Sequence, residues 1–224
     1  MISQEQGAFV KGRSIADNIE VAQEMIHHIN KKVRGGNLIL KLDLEKAYDR
    51  PTGFFRSYRG LRQGDPLSPT LFIIAMKSFS VNLNLMLSSG GCQQFSIRRS
   101  CPSPSHLLFT DDILLFTNSK KESLLQLNQL MLIFQTVTGQ KISRQKSRFI
   151  CSRDLKPAMI RTTERTLDFQ KVRDNLIYLG APLCKGRIKT AAFQFLLDKV
   201  DRKTSGWAGR LISQAGRLTL FVMF

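Results

Sequence analysis

The sequence predicts an α+β fold: an antiparallel sheet with helices on one face over residues 1–152, followed by a mainly helical segment over 153–224. Three observations predict it. Leu38, Leu40, Leu42 and Leu44 alternate with Ile39, Lys41, Asp43 and Glu45, the period of a strand with one buried face. The run "SHLLFTDDILLFTN" reads as two short apolar strands that turn at Asp111-Asp112. Stretches of helical period flank and separate these strands, and this order favours antiparallel pairs backed by helices.

The elements follow in order. Ser14 with Asp17 forms a capping box, and Ile15, Ile19, Ala22, Ile26, Ile29 and Val33 continue at helical spacing to a stop at Gly35-Gly36. After the Leu38–Leu44 strand, "RGLRQGDPLSP" is a loop punctuated by Gly and Pro. Ser68-Pro69 then opens a helix to about Ser88 that packs Phe72, Met76, Phe79, Leu83 and Met86. Beyond the hairpin, Ser119 and Glu122 cap a third helix with Leu124, Leu127, Met131 and Phe134 on one face and Gly139 at its end. "KISRQKSRFIC" is a further strand, and from about Arg153 helices are expected at 189–203 and from about 208 onward. The polar faces of the Asp43 strand and of the hairpin are expected to be the uncovered ones.

Composition narrows the function class. A chain of 224 residues with 42% hydrophobic content can bury a real core. Its 34 Lys+Arg against 17 Asp+Glu leave a net charge of +17, spread along the chain. A folded domain this basic faces a polyanion, nucleic acid by default; packing proteins and anionic-membrane binders stay open on charge alone. Cys92, Cys101, Cys151 and Cys184 show no C-x-x-C pairing, and His27, His28 and His106 add no zinc spacing. A reduced intracellular protein of nucleus or cytoplasm, not secreted, is expected, because "MISQEQGAFVKGR" lacks the apolar core of a signal peptide. No apolar run reaches the ~18 residues of a membrane span, so no membrane partner is expected. No obligate protein partner is evident either.

The carboxylates carry the chemistry. Adjacent aspartates between apolar strands repel one another and resist burial, and a solvated turn is the simplest reading of Asp111-Asp112. A second strand with Asp43 on its polar face changes the balance. Three carboxylates on one open sheet face suit two divalent cations ~3.5–4 Å apart. Mg²⁺ takes oxygen ligands and needs neither His nor Cys. On a basic protein this combination points to phosphoryl transfer on nucleic acid.

At this point the residues resemble a known family. "KLDLEKAYD", "RGLRQGDPLSP" and "FTDDILLF" look like blocks of reverse transcriptases of the LINE-type, non-LTR retrotransposon group. "QGAFVKGRSIADNI", "TGQKISRQKS" and "NLIYLGAPL" resemble further blocks in the same order, and "SGWAGRLISQAGRLTL" is similar to the segment after the thumb. The resemblance covers nearly the whole chain. It implies a polymerase palm-like sheet with a partial thumb, and an RNA-directed DNA polymerase that uses an RNA template, a DNA primer and deoxynucleoside triphosphates. It implies that Asp43, Asp111 and Asp112 hold two Mg²⁺ ions, with Mn²⁺ an admissible substitute. Tyr48, Gln63, Gly64 and Lys146 match positions that serve the incoming nucleotide and leaving phosphate, and Tyr178, Leu179 and Gly180 match the turn that grips the primer.

Departures from the pattern matter as well. Thr110 stands where alanine is usual, and Lys11 where proline is common; Thr110 reads as a strand residue slightly larger than alanine. The family places a helical segment between the first aspartate and the Gln-Gly loop, whereas Asp43 and Gln63 are 63 − 43 = 20 residues apart here. "DRPTG" leaves no room for a helical crossover, which implies an internal deletion near residues 50–51. Relative to the family, the chain is expected to lack most of the fingers and an upstream endonuclease domain, and to stop at Phe224 inside an apolar helix. The expectation is a truncated polymerase of weak or no activity. A non-catalytic, basic nucleic-acid-binding remnant of the same fold is the alternative.

Overall fold

The structure, a computed structural model, describes residues 5–10, 12–45, 68–97, 103–172, 176–186, 193–194, 197–198 and 201–202. The chain divides into two compact units, Met1–Lys185 and Gly186–Phe224. In the second unit the described residues after Gly186 are helical. Tyr48, Gln63, Gly64, the seam at 50–51 and everything beyond residue 202 lie outside the described residues.

The first helix, α1 (Ile15–His27), opens on the expected capping box. The Ser14 hydroxyl accepts from the Ala16 N–H at 3.0 Å and Asp17 accepts from the Ser14 N–H at 3.0 Å. It ends well before Gly35-Gly36, where the apolar period suggested. Tertiary bonds take the next residues instead: Asn37 Nδ2 donates to the His28 carbonyl at 3.2 Å, and Asn30 Oδ1 accepts from the Arg153 N–H at 3.0 Å. The two glycines lie in the following loop at φ of +97° and +68°. A Cβ on Gly36 would come within 2.8 Å of Leu155 Cδ1, and the positive φ is itself a conformation that favours glycine.

The remaining elements are β1 (Asn37–Asp43), α2 (Ser68–Ser88), β2 (His106–Phe109), β3 (Asp112–Asn118), α3 (Lys121–Thr138) and β4 (Arg148–Cys151). They are followed by α4 (Pro157–Leu167), β5 (Gln170–Lys171), β6 (Leu176–Tyr178) and β7 (Ala181–Leu183). The main sheet has the order β2-β3-β1-β4-β5, antiparallel throughout except for the parallel pair β4–β5. The units β1-α2-β2 and β3-α3-β4 interleave so that β1 lies in the centre, the split βαβ arrangement.

Strand parity sorts the core into two halves. Leu38, Leu40 and Leu42 of β1, with Ile113, Leu115 and Phe149, face Met76, Phe79 and Leu83 of α2 and Leu124, Leu127, Met131 and Phe134 of α3. Ile39, Leu114, Phe116 and Ile150 point the other way, onto Ala22, Met25 and Ile26 of α1 and Leu176, Tyr178 and Leu183 of the β6–β7 hairpin. The expectation of helices on one face therefore needs correcting for α1, and the polar face of β1 is covered over most of its length. Only its Asp43 end stays half open.

Other expectations shift as well. Ser119 does not cap α3: its hydroxyl binds the Gly35 carbonyl, and Lys120 holds the N-cap position without a side-chain bond. Gly139 does end α3, at φ +73°. The expected strand over "KISRQKSRFIC" is confined to Arg148–Cys151, and α4 with β5–β7 was not foreseen. Pro69–Ser88 of α2 is long and apolar enough to cross a membrane by length and composition, contrary to the sequence expectation. Its Met76, Phe79 and Leu83 are buried against the sheet. Cys92, Cys151 and Cys184 are buried free thiols.

His106 of β2 is fully buried between two hydroxyls, with Ser80 Oγ 2.6 Å from Nε2 and Ser105 Oγ 2.6 Å from Nδ1. Burial lowers its pKa to about 4, and the charge of Glu5 opposes that shift only in part. A histidine with a lowered folded pKa stabilises the fold fully above its unfolded pKa near 6.5, and that contribution disappears as pH falls toward 4. Between pH 7 and pH 4.5 the wild type should lose about 2–3 kcal/mol more unfolding free energy than His106→Gln, read by urea denaturation at both pH values. Equal losses would place the acid sensitivity elsewhere.

Candidate active site

The site is built on the end of the central strand. In the β1–β3 ladder Asp43 pairs directly with Asp112, so the two side chains stand on the same sheet face. Two like charges directly across an antiparallel pair repel, and Asp112 is partly buried as well. Burial pushes the Asp112 carboxyl up, Lys41 holds it down, and the charges of Asp111 and Asp43 add to the rise.

Lys41 resolves the conflict. It precedes Asp43 by two residues on the same strand, hence on the same face. Its Nζ lies 3.0 Å from Asp112 Oδ1 and donates to the Ile177 carbonyl of β6 at 3.1 Å. One ammonium thus ties the aspartate pair to the β6–β7 hairpin. Sequence reading passed over Lys41 as part of an alternating strand, although its position two residues before Asp43 was a usable signal.

Asp111 sits in the β2–β3 turn, whose central residues are Thr110 and Asp111, while Asp112 already belongs to β3. The Thr110 hydroxyl donates to Asp111 Oδ1 at 2.9 Å. Thr110 has φ of +47°, so it is a turn residue in a glycine-favouring conformation and not the strand residue expected. A β-branched side chain there is strained. Among the described residues no three His, Cys, Asp or Glu side chains gather closely enough to enclose a metal ion. The donor set still suits a hard divalent cation, because the facing Asp43 and Asp112 offer only carboxylate oxygens and already share their surroundings with the Lys41 ammonium.

Two further predicted groups flank this face. Lys146 lies on an exposed turn before β4; the neighbouring Ser147 hydroxyl accepts from the Asp43 N–H at 3.2 Å. Arg148 closes that turn by donating to the carbonyls of Gln145 and Ser147. Arg144 anchors it to the core through the Leu167 carbonyl and Asn128 Oδ1. On the other side, Leu179 and Gly180 form the two-residue turn of the β6–β7 hairpin, both at positive φ (+50° and +79°).

Tyr178 itself is fully buried, so the half-buried Leu179 and the exposed Gly180 are what the turn presents to solvent. The Tyr178 hydroxyl accepts from Asn18 Nδ2 at 3.4 Å. Burial drives its pKa far up against that bond, and the Asp112 charge adds to the rise, so the phenol stays protonated.

A profile of the reverse transcriptase (RNA-dependent DNA polymerase) family matches residues 50–183, more than half of the chain. The match includes Asp111, Asp112, Lys146 and the Tyr178-Leu179-Gly180 turn; it begins at Arg50, after Asp43. An uncharacterised mitochondrial protein of Arabidopsis thaliana is 40% identical over 62 residues, which are 28% of this chain and 51% of that protein. The match thus spans about half the length of that relative.

Two substitutions probe the local physics. Lys41→Met leaves the Asp112 carboxylate beside Asp43 and Asp111 without its counter-charge, and should cost about 1–3 kcal/mol at pH 7. Most of that loss should return in the Lys41→Met, Asp112→Asn double variant, which urea denaturation can show. Thr110→Gly relieves the positive-φ strain and should raise stability by about 1 kcal/mol; a loss of that size would show that the turn does not hold the strain assigned to it.

Proposed function

Because the chain belongs to the reverse transcriptase (RNA-dependent DNA polymerase) family, we propose that it carries the nucleotidyl-transfer site of a LINE-type element, acting on an RNA template, a DNA primer and deoxynucleoside triphosphates. The observation that supports this most directly is the register that sets Asp43 against Asp112, with a cationic group held between the elements. A carboxylate pair on a sheet face, next to a tight turn carrying a third aspartate, suits metal-assisted phosphoryl transfer better than any reaction needing a histidine base.

Asp43, Asp111 and Asp112 are the residues that would hold Mg²⁺, two ions in our reading, with Mn²⁺ able to substitute. When bound, such ions lower the pKa of a primer 3′-hydroxyl and offset the charge of the leaving pyrophosphate. The protein's own part is positioning. The β1–β3 ladder fixes two carboxylates relative to one another, and Asp111 sits in the turn next to Asp112. Lys41 holds Asp112 in place until a stronger cation competes for its oxygens, and its second bond sets the β6–β7 hairpin beside the site. The Leu179-Gly180 turn is then placed to meet a primer backbone, where a glycine permits close approach. Lys146, exposed on its clamped turn, is the group assigned to the leaving phosphate. Tyr48, Gln63 and Gly64 are assigned to the incoming nucleotide.

We further propose that activity is low. Asp112 is engaged by Lys41, Asp111 is engaged by Thr110, and the Asp43-to-Gln63 spacing is short. Primer extension on an RNA template in Mg²⁺ tests the reading, with Asp43→Ala and Asp111→Ala as references. Extension by the wild type above a background shared by both variants is expected. Wild-type extension no greater than that of Asp111→Ala would reject the enzyme and leave the non-catalytic, nucleic-acid-binding reading.

A further inference from the structure

At the opposite end of β1 from Asp43 lies a cavity of about 640 Å³. Its cationic lining is Lys31, Lys32, Arg34 and Lys156, and its apolar lining is Val33, Leu155 and Met159. The seven residues of β1 separate it from the catalytic end by roughly 20 Å. We infer that this groove is a second nucleic-acid site, which binds the phosphodiester backbone of a strand at a distance from the carboxylates. The inference deepens the polymerase reading and rests on it for the identity of the polyanion.

Three independent features support it. The groove is preformed: the Gly36 N–H bonds to the Val33 carbonyl at 3.0 Å, Asn30 fixes the Arg153 N–H at 3.0 Å, and the Ser119 hydroxyl holds the Gly35 carbonyl. Its charge is excessive: four cations face one carboxylate, Asp154, and none of the four belongs to the described ion pairs His28–Glu24 and Lys41–Asp112. Like charges gathered on a concave surface repel unless a polyanion enters among them. Its shape also discriminates. Cations around a small apolar floor suit a nucleotide chain, with phosphates on the rim and sugar or base over Leu155 and Met159. A lipid surface would instead call for a flat or convex face.

The test is binding, not extension. Fluorescent single-stranded RNA and DNA oligonucleotides are titrated against the wild type and a variant carrying Lys31→Gln, Lys32→Gln, Arg34→Gln and Lys156→Gln. A control carries Lys121→Gln, Lys141→Gln, Arg161→Gln and Arg165→Gln, equal in charge but outside the groove. The groove variant should lose at least about tenfold in affinity at low salt, and its log–log salt slope should fall by about 2–3. The control should lose clearly less. In the wild type, bound oligonucleotide should protect Lys31, Lys32 and Lys156 from acetylation several-fold while Lys121 stays reactive, a readout independent of how the variant folds. Equal losses in variant and control, or no selective protection, would overturn the groove. So would a variant that loses binding to phosphatidylserine vesicles but not to oligonucleotides. A wild type that cannot extend primers yet shows groove protection refutes the polymerase and keeps the groove.

Discussion

Two aspartates placed directly opposite one another in neighbouring strands repel, and the structure depends on what answers that repulsion. The Asp43–Asp112 pair follows from the register of the central ladder, which the core itself enforces. A one-residue slip would turn Leu38, Leu40 and Leu42 away from α2 and α3 and bring Ile39 and Lys41 onto that face. The parity that satisfies the hydrophobic pattern of β1 therefore also puts Asp43 on the face it shares with Asp112. Lys41 makes the arrangement tolerable by supplying the opposite charge on the same face. Stability and site chemistry are thereby coupled through one strand.

The same strand organises the rest of the molecule. One face of β1 gathers α2 and α3 into an apolar layer; the other collects α1 and the β6–β7 hairpin. This second layer stops short of Asp43, and its edge is held by Lys41 reaching the Ile177 carbonyl and by Tyr178 under Asn18. The site is thus a gap at the margin of a packed layer, partly desolvated yet open on one side. That setting strengthens electrostatic interactions and leaves the carboxylate end half exposed. At the far end of β1, the glycine loop and α4 shape the basic groove. The sheet between them acts as a rigid spacer.

Much of this could be read directly from the residues. Alternating leucines gave away β1, and the capping box at Ser14 and the αL glycine at 139 marked helix ends because each has a local physical cause. What escaped was set by tertiary contact. α1 stops early where Asn37 takes the His28 carbonyl and Asn30 takes the N–H of Arg153, far along the chain, bonds which no periodicity reveals. In α4, the run PAMIRTTERTL fully buries only Thr163 and Leu167, too few residues to show a period. The strands β6 and β7 have three residues each, and their turn begins with a leucine at positive φ, a conformation that a sequence does not advertise. For the candidate site, the places of Asp43 on a strand and Asp111 at a turn were legible, and so was the turn at Leu179-Gly180. The cation that reconciles the aspartates was passed over, because in so basic a chain a lysine stands out only by its place two residues before Asp43 on the same strand face. Tyr178, read as a contact residue, turned out to be buried.

We propose that the β1–β3 register creates a divalent-cation site whose oxygens Lys41 engages. Titration of Mn²⁺ followed by electron paramagnetic resonance on the intact chain tests it most directly, with Mg²⁺ as competitor. The account predicts Mn²⁺ binding that Mg²⁺ displaces, that Asp43→Asn and Asp112→Asn each weaken severely, and that Lys41→Met strengthens. No bound Mn²⁺, or binding unchanged in both aspartate variants, would contradict it.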